Sequence, residues 1–85
     1  MKITGLIWFS SIIEKLELKH NVKQDEVKEV FNSHPQFRFV EKGHRSGENV
    51  YAALGQTNAG RDLIIFFVYK KDGRAYLICT GYDSC

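Results

Sequence analysis

Residues 62–80 read DLIIFFVYKKDGRAYLICT, two apolar runs joined through Lys70-Lys71-Asp72-Gly73-Arg74. From Leu63 to Val68 every residue is apolar, so a pleated strand there is apolar on both faces. Such a strand belongs in the interior of a sheet. Asp72-Gly73 is the preferred pair for a two-residue hairpin turn, which returns the chain from Ala75 onward as an antiparallel neighbour. The stretch therefore predicts a sheet with Asp62–Lys71 at its centre.

Working outward from it, the same period of two continues upstream. In NVYAALGQT (residues 49–57), Val50, Ala52 and Leu54 alternate with Tyr51 and Ala53. In QFRFVEK (residues 36–42), Phe37 and Phe39 share one face and Arg38 takes the other. Four consecutive strands with short polar connections make an antiparallel meander. Before Pro35 the period becomes helical. KQDEVKEVFNSHP places Val27, Val30 and Phe31 on one stripe, with Asp25 and Glu26 in the first turn, where carboxylates suit the helix dipole. Pro35 disfavours a helical His34, so this helix stops there. SSIIEKLELKHN, residues 10–21, gives an earlier helix with Ile12, Ile13 and Leu16 on its inner face. Ser10 or Ser11 can cap it, with Glu14 completing a capping box, and Asn21 suits a left-handed residue at its end. Thr4–Phe9 reads as a short strand. The order is β-α-α-β-β-β-β, an α+β fold with both helices packed on one face of an antiparallel sheet.

All 85 residues fit one domain, and no linker or repeat divides residues 1–85. A hydrophobic share of 44% with 26% charged residues favours a folded chain over disorder. Twelve basic against ten acidic residues leave a net charge of +2, a weak basic excess for a dedicated nucleic-acid binder. No apolar run reaches a membrane span, and the N-terminus carries Glu14 early and no small-residue cleavage site, so it reads as mature cytoplasmic protein. Cys79 and Cys85 are too few for a disulfide framework. No Cys/His spacing suggests a metal site, and no motif suggests a cofactor.

Residues 43–61, GHRSGENVYAALGQTNAGR, gather His44, Arg45, Glu48, Tyr51 and Arg61 around two glycine-rich loops. By composition they are the polar rim of a hairpin. Together with Lys19-His20 closing the first helix, EVKEVF in the second, and the runs Gly47-Glu48…Tyr51, Leu54-Gly55 and Gly60-Arg61, their order resembles the BrnT-like toxin family over residues 6–80. That resemblance implies a RelE-like sheet and the toxin of a type II toxin–antitoxin pair, an endoribonuclease cutting RNA without a metal. It also implies a ribbon-helix-helix, BrnA-like antitoxin as partner, with operator DNA contacted only through that antitoxin. The last strand departs from the family pattern: Gly81 stands where the family carries an arginine, and residues 82–85 stand where it continues into a helix. This departure implies weakened or absent cutting, and hence the alternative of a protein-binding module.

Metal-free RNA cleavage drives the ribose 2′-OH against its own phosphate. It needs a base, an acid and cations at the phosphate. Glu48 or His44 can serve as base, and Lys19, His20 or Tyr51 as acid. Arg61, Arg45 or Arg38 can clamp phosphate with a planar fork of donors, and Tyr51 can instead stack on a base. Lys19, His20, Glu48 and Arg61 are the catalytic candidates; Arg38, His44, Arg45 and Tyr51 are the RNA-binding ones. Each has a plainer role. Lys19 and His20 suit the carbonyls at a helix C-terminus. Arg61 suits an ion pair with Asp62 or Glu48. Asp25, Glu26 and Glu29 suit a solvated helix face.

Overall fold

A computed structural model describes residues 2–43 and 48–80. The elements are β1 (Gly5–Ile7), α1 (Ser10–His20), α2 (Gln24–Asn32), β2 (Gln36–Glu41), β3 (Asn49–Gln56), β4 (Asp62–Tyr69) and β5 (Arg74–Thr80). The strands form one sheet in the order β1-β5-β4-β3-β2, so the doubly apolar β4 lies at its centre, as its sequence requires. The meander from β2 to β5 is antiparallel throughout. The whole sheet is not: β1 runs parallel to β5, with Gly5 opposite Arg74 and Ile7 opposite Tyr76. Among the described residues this makes a five-stranded mixed sheet with two helices. The N-terminal strand enters beside β5 in the same direction, held by Thr4, whose N–H donates to the Gly73 carbonyl at 2.8 Å and whose hydroxyl donates to the Asp72 carbonyl at 3.0 Å.

Period-two alternation decides which strand residues reach the core. Leu63, Ile65 and Phe67 of β4, Ala53 of β3, and Ala75 and Leu77 of β5 are buried together with Leu16 of α1, Val27 and Val30 of α2, and Val22 between the helices. Both helices thus share one core on one sheet face. Ile64, Phe66 and Val68 point to the opposite face and are half-buried. Gly55 seats α2 on β3. A β-carbon there would lie 3.2 Å from both Val30 and Pro35 and 3.1 Å from the Ser33 hydroxyl, so a larger residue would push the helix off the strand.

The helix ends explain the local chain path. α1 begins without a side-chain cap: Phe9 occupies the cap position, and its carbonyl accepts from the N–H groups of Ile12 and Ile13 at 2.9 and 3.0 Å. The expected serine cap fails because Ser10 is already inside the helix. The other end matches expectation. Asn21 is left-handed at φ 52°, and the chain turns back so that the Val22 N–H donates to the Leu16 carbonyl at 2.9 Å. That turn buries Val22. The capping glutamate belongs to α2 instead, where Glu26 accepts the Lys23 N–H at 3.2 Å. His34, before Pro35, is also left-handed at φ 57°, which ends α2.

The two hairpins around β4 are built alike. Gly60 N–H donates to the Thr57 carbonyl and Thr57 N–H to the Arg61 carbonyl; Gly73 N–H donates to the Lys70 carbonyl and Lys70 N–H to the Arg74 carbonyl, all four at 2.9 Å. Gly60 and Gly73 take φ +87° and +91°. Each is a three-residue loop with a left-handed glycine last, rather than the two-residue turn expected at Asp72-Gly73. A two-residue turn of the expected type requires positive φ at both central residues, and Asp72 is not among the residues with positive φ.

Candidate functional site

Arg61 follows the glycine of the β3–β4 hairpin, and that position aims its side chain back at the junction of the two helices. Its guanidinium donates to the carbonyl of Asn21 at 2.8 Å and to that of His20 at 3.0 Å, and it pairs with the Glu26 carboxylate at 3.3 Å. The last carbonyls of a helix have no partner within the helix. Here a cation from the sheet supplies one, with the sign that the C-terminal end of the helix dipole favours. Glu26 holds the arginine from the other side while also accepting the Lys23 N–H at the start of α2. Glu29, one turn on, accepts the Asn58 N–H at 2.9 Å and ties the hairpin loop to the same helix. Arg61 therefore fastens α1, α2 and the hairpin together at one end of the sheet. Its partner is neither Asp62 nor Glu48. Asp62 accepts from the Gln56 amide at 2.8 Å.

Glu48 lies at the other end. It precedes Asn49 of β3, which pairs with Tyr69, while Arg61 precedes Asp62, which pairs with Gln56. The strand rises ~3.4 Å per residue, so its eight residues set the two ends roughly 25 Å apart. That is well beyond the ~10 Å over which charges act through ordinary salt. Glu48 forms an ion pair with Lys70, and the Lys70 ammonium sits 5.4 Å from the centre of the Tyr76 ring. Both side chains of the pair are about one-third exposed, so neither is cut off from solvent.

The four catalytic candidates accordingly divide. Arg61 bonds the backbone carbonyls of His20 and Asn21 at the C-terminal end of α1, the helix whose last turn holds Lys19 and His20, and Glu48 stays with Lys70 at the far end. Of the RNA-binding candidates, Arg38 is exposed on the sheet face away from the helices, opposite Ala52. Tyr51 points to the helix-bearing face, half-buried, stacked on Phe67 with ring centres 6.2 Å apart and edge-on to Phe39 at 5.6 Å and Tyr69 at 6.0 Å. It is part of an aromatic cluster, not an open stacking platform. His44, Arg45 and Gly81 lie outside the described residues, as do Gly47 and the segment after Thr80. Among the described residues, no three His, Cys, Asp or Glu side chains gather as metal ligands would, and no helix is long and apolar enough to cross a membrane.

Glu26 is the residue at this end that sequence reasoning passed over. Its signal was local: an acidic residue at the third position of a helix is a capping partner. Reading it as part of a solvated face overlooked that a capping carboxylate is fixed in place and can hold a distant cation. Replacing Arg61 with alanine leaves two helix-end carbonyls without their donor. Because the side chain is 41% exposed, water replaces part of what is lost. The expected cost is about 1–1.5 kcal/mol, read as a lower midpoint in urea unfolding, with Arg61→Lys in between because an ammonium cannot span both carbonyls. An unchanged midpoint for Arg61→Ala would show that the clamp contributes nothing.

No protein-family model, no curated protein and no solved structure matches this chain.

Proposed function

We propose that this chain is a RelE-like protein-binding module that pairs with an antitoxin-like partner and cuts RNA weakly or not at all. The observation that carries this reading is the separation of Glu48 from Arg61. Phosphodiester cleavage by a 2′-OH needs base, acid and phosphate-binding cation around one phosphate, within hydrogen-bonding reach of the reacting atoms. A carboxylate tied to Lys70 at one end of β3 and a guanidinium tied to helix carbonyls at the other cannot serve one phosphate together. The replacement of the family arginine by Gly81 points the same way. A partner is favoured by the apolar surface: Phe9, Leu18, Phe39 and Val40 are exposed, and Val50, Leu54 and Val68 face away from the helices. On so small a chain, such surface is what a partner covers. The ribbon-helix-helix antitoxin implied by the resemblance is the partner of choice, and any operator contact then runs through it.

One arrangement favours the endoribonuclease as second reading. Lys19, His20 and Arg61 do share one helix end, with Glu26 as the nearby carboxylate. Expression without an antitoxin separates the two. The binding module is expected to leave growth and cellular RNA intact, and to co-purify at micromolar concentration with a ribbon-helix-helix, BrnA-like partner when the two are co-expressed. Failure to co-purify would overturn this reading. Growth arrest with RNA cleavage, relieved by His20→Ala and Lys19→Ala, would establish the endoribonuclease in its place.

A further inference from the structure

We propose that β2 is a self-complementary edge through which two copies of this chain pair, strand against antiparallel strand. β2 closes the sheet on one side, so among the described residues one row of its backbone groups has no strand beside it. An edge of this kind is a template for another strand. Its six residues are exposed except Phe37, and Phe39 and Val40, 58% and 45% exposed, put two large apolar side chains next to each other at its middle. The opposite edge, β1, has only three residues and offers much less.

Edges are commonly protected by charges and bulges, and β2 has both. Their arrangement here works in the other direction. Arg38 pairs with Ala52 and Glu41 with Val50, with a bulge between Phe39 and Glu41. Ala52 and Val50 share a face of β3, so the bulge brings Arg38 and Glu41 to the same face of the sheet. In a regular strand, residues three apart would point to opposite faces. Now let a second β2 lie antiparallel beside the first, with the two-fold axis between Phe39 and Val40. Arg38 then stands opposite Glu41 of the second copy, Glu41 opposite its Arg38, and Phe39 opposite its Val40. Both opposite-charge pairs fall on the face away from the helices. Cross-strand pairs of opposite charge stabilise antiparallel strands, whereas like charges in those positions oppose pairing. An edge built only to repel would carry one sign of charge. This one carries both signs at the spacing that self-pairing requires, and its two-fold symmetry closes the assembly at two chains.

The contact is small, one six-residue strand from each copy, well below a standard interface of ~800 Å² per partner. Pairing is therefore weak and dependent on concentration. It does not rest on the partner proposed above.

Sedimentation equilibrium of the purified chain, from roughly 10 μM to 1 mM, tests it. The mass is expected to rise with concentration from 9.8 kDa toward twice that value. Arg38→Glu and Glu41→Arg each place like charges at both symmetric positions and are expected to weaken association about tenfold or more. The double variant R38E/E41R exchanges the charges across the axis and is expected to restore association to near the original. Both residues are exposed, so circular dichroism and thermal melting of all three variants should match the parent. A mass of 9.8 kDa at every concentration overturns the proposal. So does undiminished pairing in the single variants, or a double variant no tighter than they are.

Discussion

Replacing Phe67 with alanine is expected to cost about 4 kcal/mol and to leave the chain largely unfolded at 37 °C. Phe67 is fully buried on the central strand. Its ring meets Phe31 of α2 at 5.5 Å, Phe37 of β2 at 6.0 Å and Tyr51 of β3 at 6.2 Å, the first two edge-on and the third stacked. These contacts join the sheet to α2 and the central strand to the β2 side. Truncation removes the apolar burial and leaves a cavity whose walls come from three elements; buried Phe→Ala changes cost ~3–5 kcal/mol. A domain of this size has only ~4–13 kcal/mol to lose. Phe39→Ala is the control. That ring touches Tyr51 but is mostly exposed, so its removal should cost under about 1 kcal/mol. Urea unfolding followed by far-UV circular dichroism separates the two. A Phe67→Ala loss below about 1.5 kcal/mol would mean that the aromatic cluster does not hold the layers together.

What the sequence disclosed about this fold was local, and what it concealed was distant. The position of β4 followed from one feature, six apolar residues in a row, which only an inner strand accommodates. Asn21 and Pro35 each marked a helix end through backbone preferences that act within a few residues. The pairing of β1 with β5 could not be read in this way. Gly5 and Arg74 are almost the whole chain apart, and three residues give no periodicity from which to choose a neighbour or a direction. The same division holds at the candidate site. Lys19 and His20 are legible as the end of the first helix, but that Arg61 reaches the carbonyls of that end is not. Glu48 and Arg61 belong together by charge, a base beside a phosphate-binding cation, yet a strand separates what lies at its two ends. Glu26 was missed because its bond to Arg61 spans 35 positions, and nothing in either segment announces the other. The bulge at Phe39–Glu41 is of the same kind. A sequence alternating cleanly from Gln36 to Phe39 does not show that Val40 is an extra residue, since that depends on how β3 meets it.

The paired hairpins allow backbone strain to be measured separately from crowding. Gly60 and Gly73 occupy the same place in two loops with the same hydrogen bonds and nearly the same φ. They differ in their surroundings. A β-carbon at Gly60 would meet nothing within 4 Å, whereas one at Gly73 would lie 2.8 Å from both the methyl and the hydroxyl of Thr4. Gly60→Ala should therefore cost only the left-handed backbone term, about 1 kcal/mol. Gly73→Ala adds overpacking and is expected to cost about 2–3 kcal/mol. The crowding has a particular consequence. Thr4 cannot move away without lengthening its bonds to the Gly73 and Asp72 carbonyls, and those bonds lead β1 into register with β5. In Gly73→Ala, amide exchange should accordingly rise most at Thr4 and along β1, while β2 and β3 change little. In Gly60→Ala the increase should stay within residues 57–61. A second substitution, Thr4→Ala, removes the atoms nearest the new β-carbon, so Gly73→Ala should cost about 1 kcal/mol in that background, the same as Gly60→Ala. Equal costs for the two alanine variants in the parent chain would show that Thr4 yields freely. The parallel strand would then be held by its ladder to β5 alone, and not by the grip of Thr4 on the hairpin.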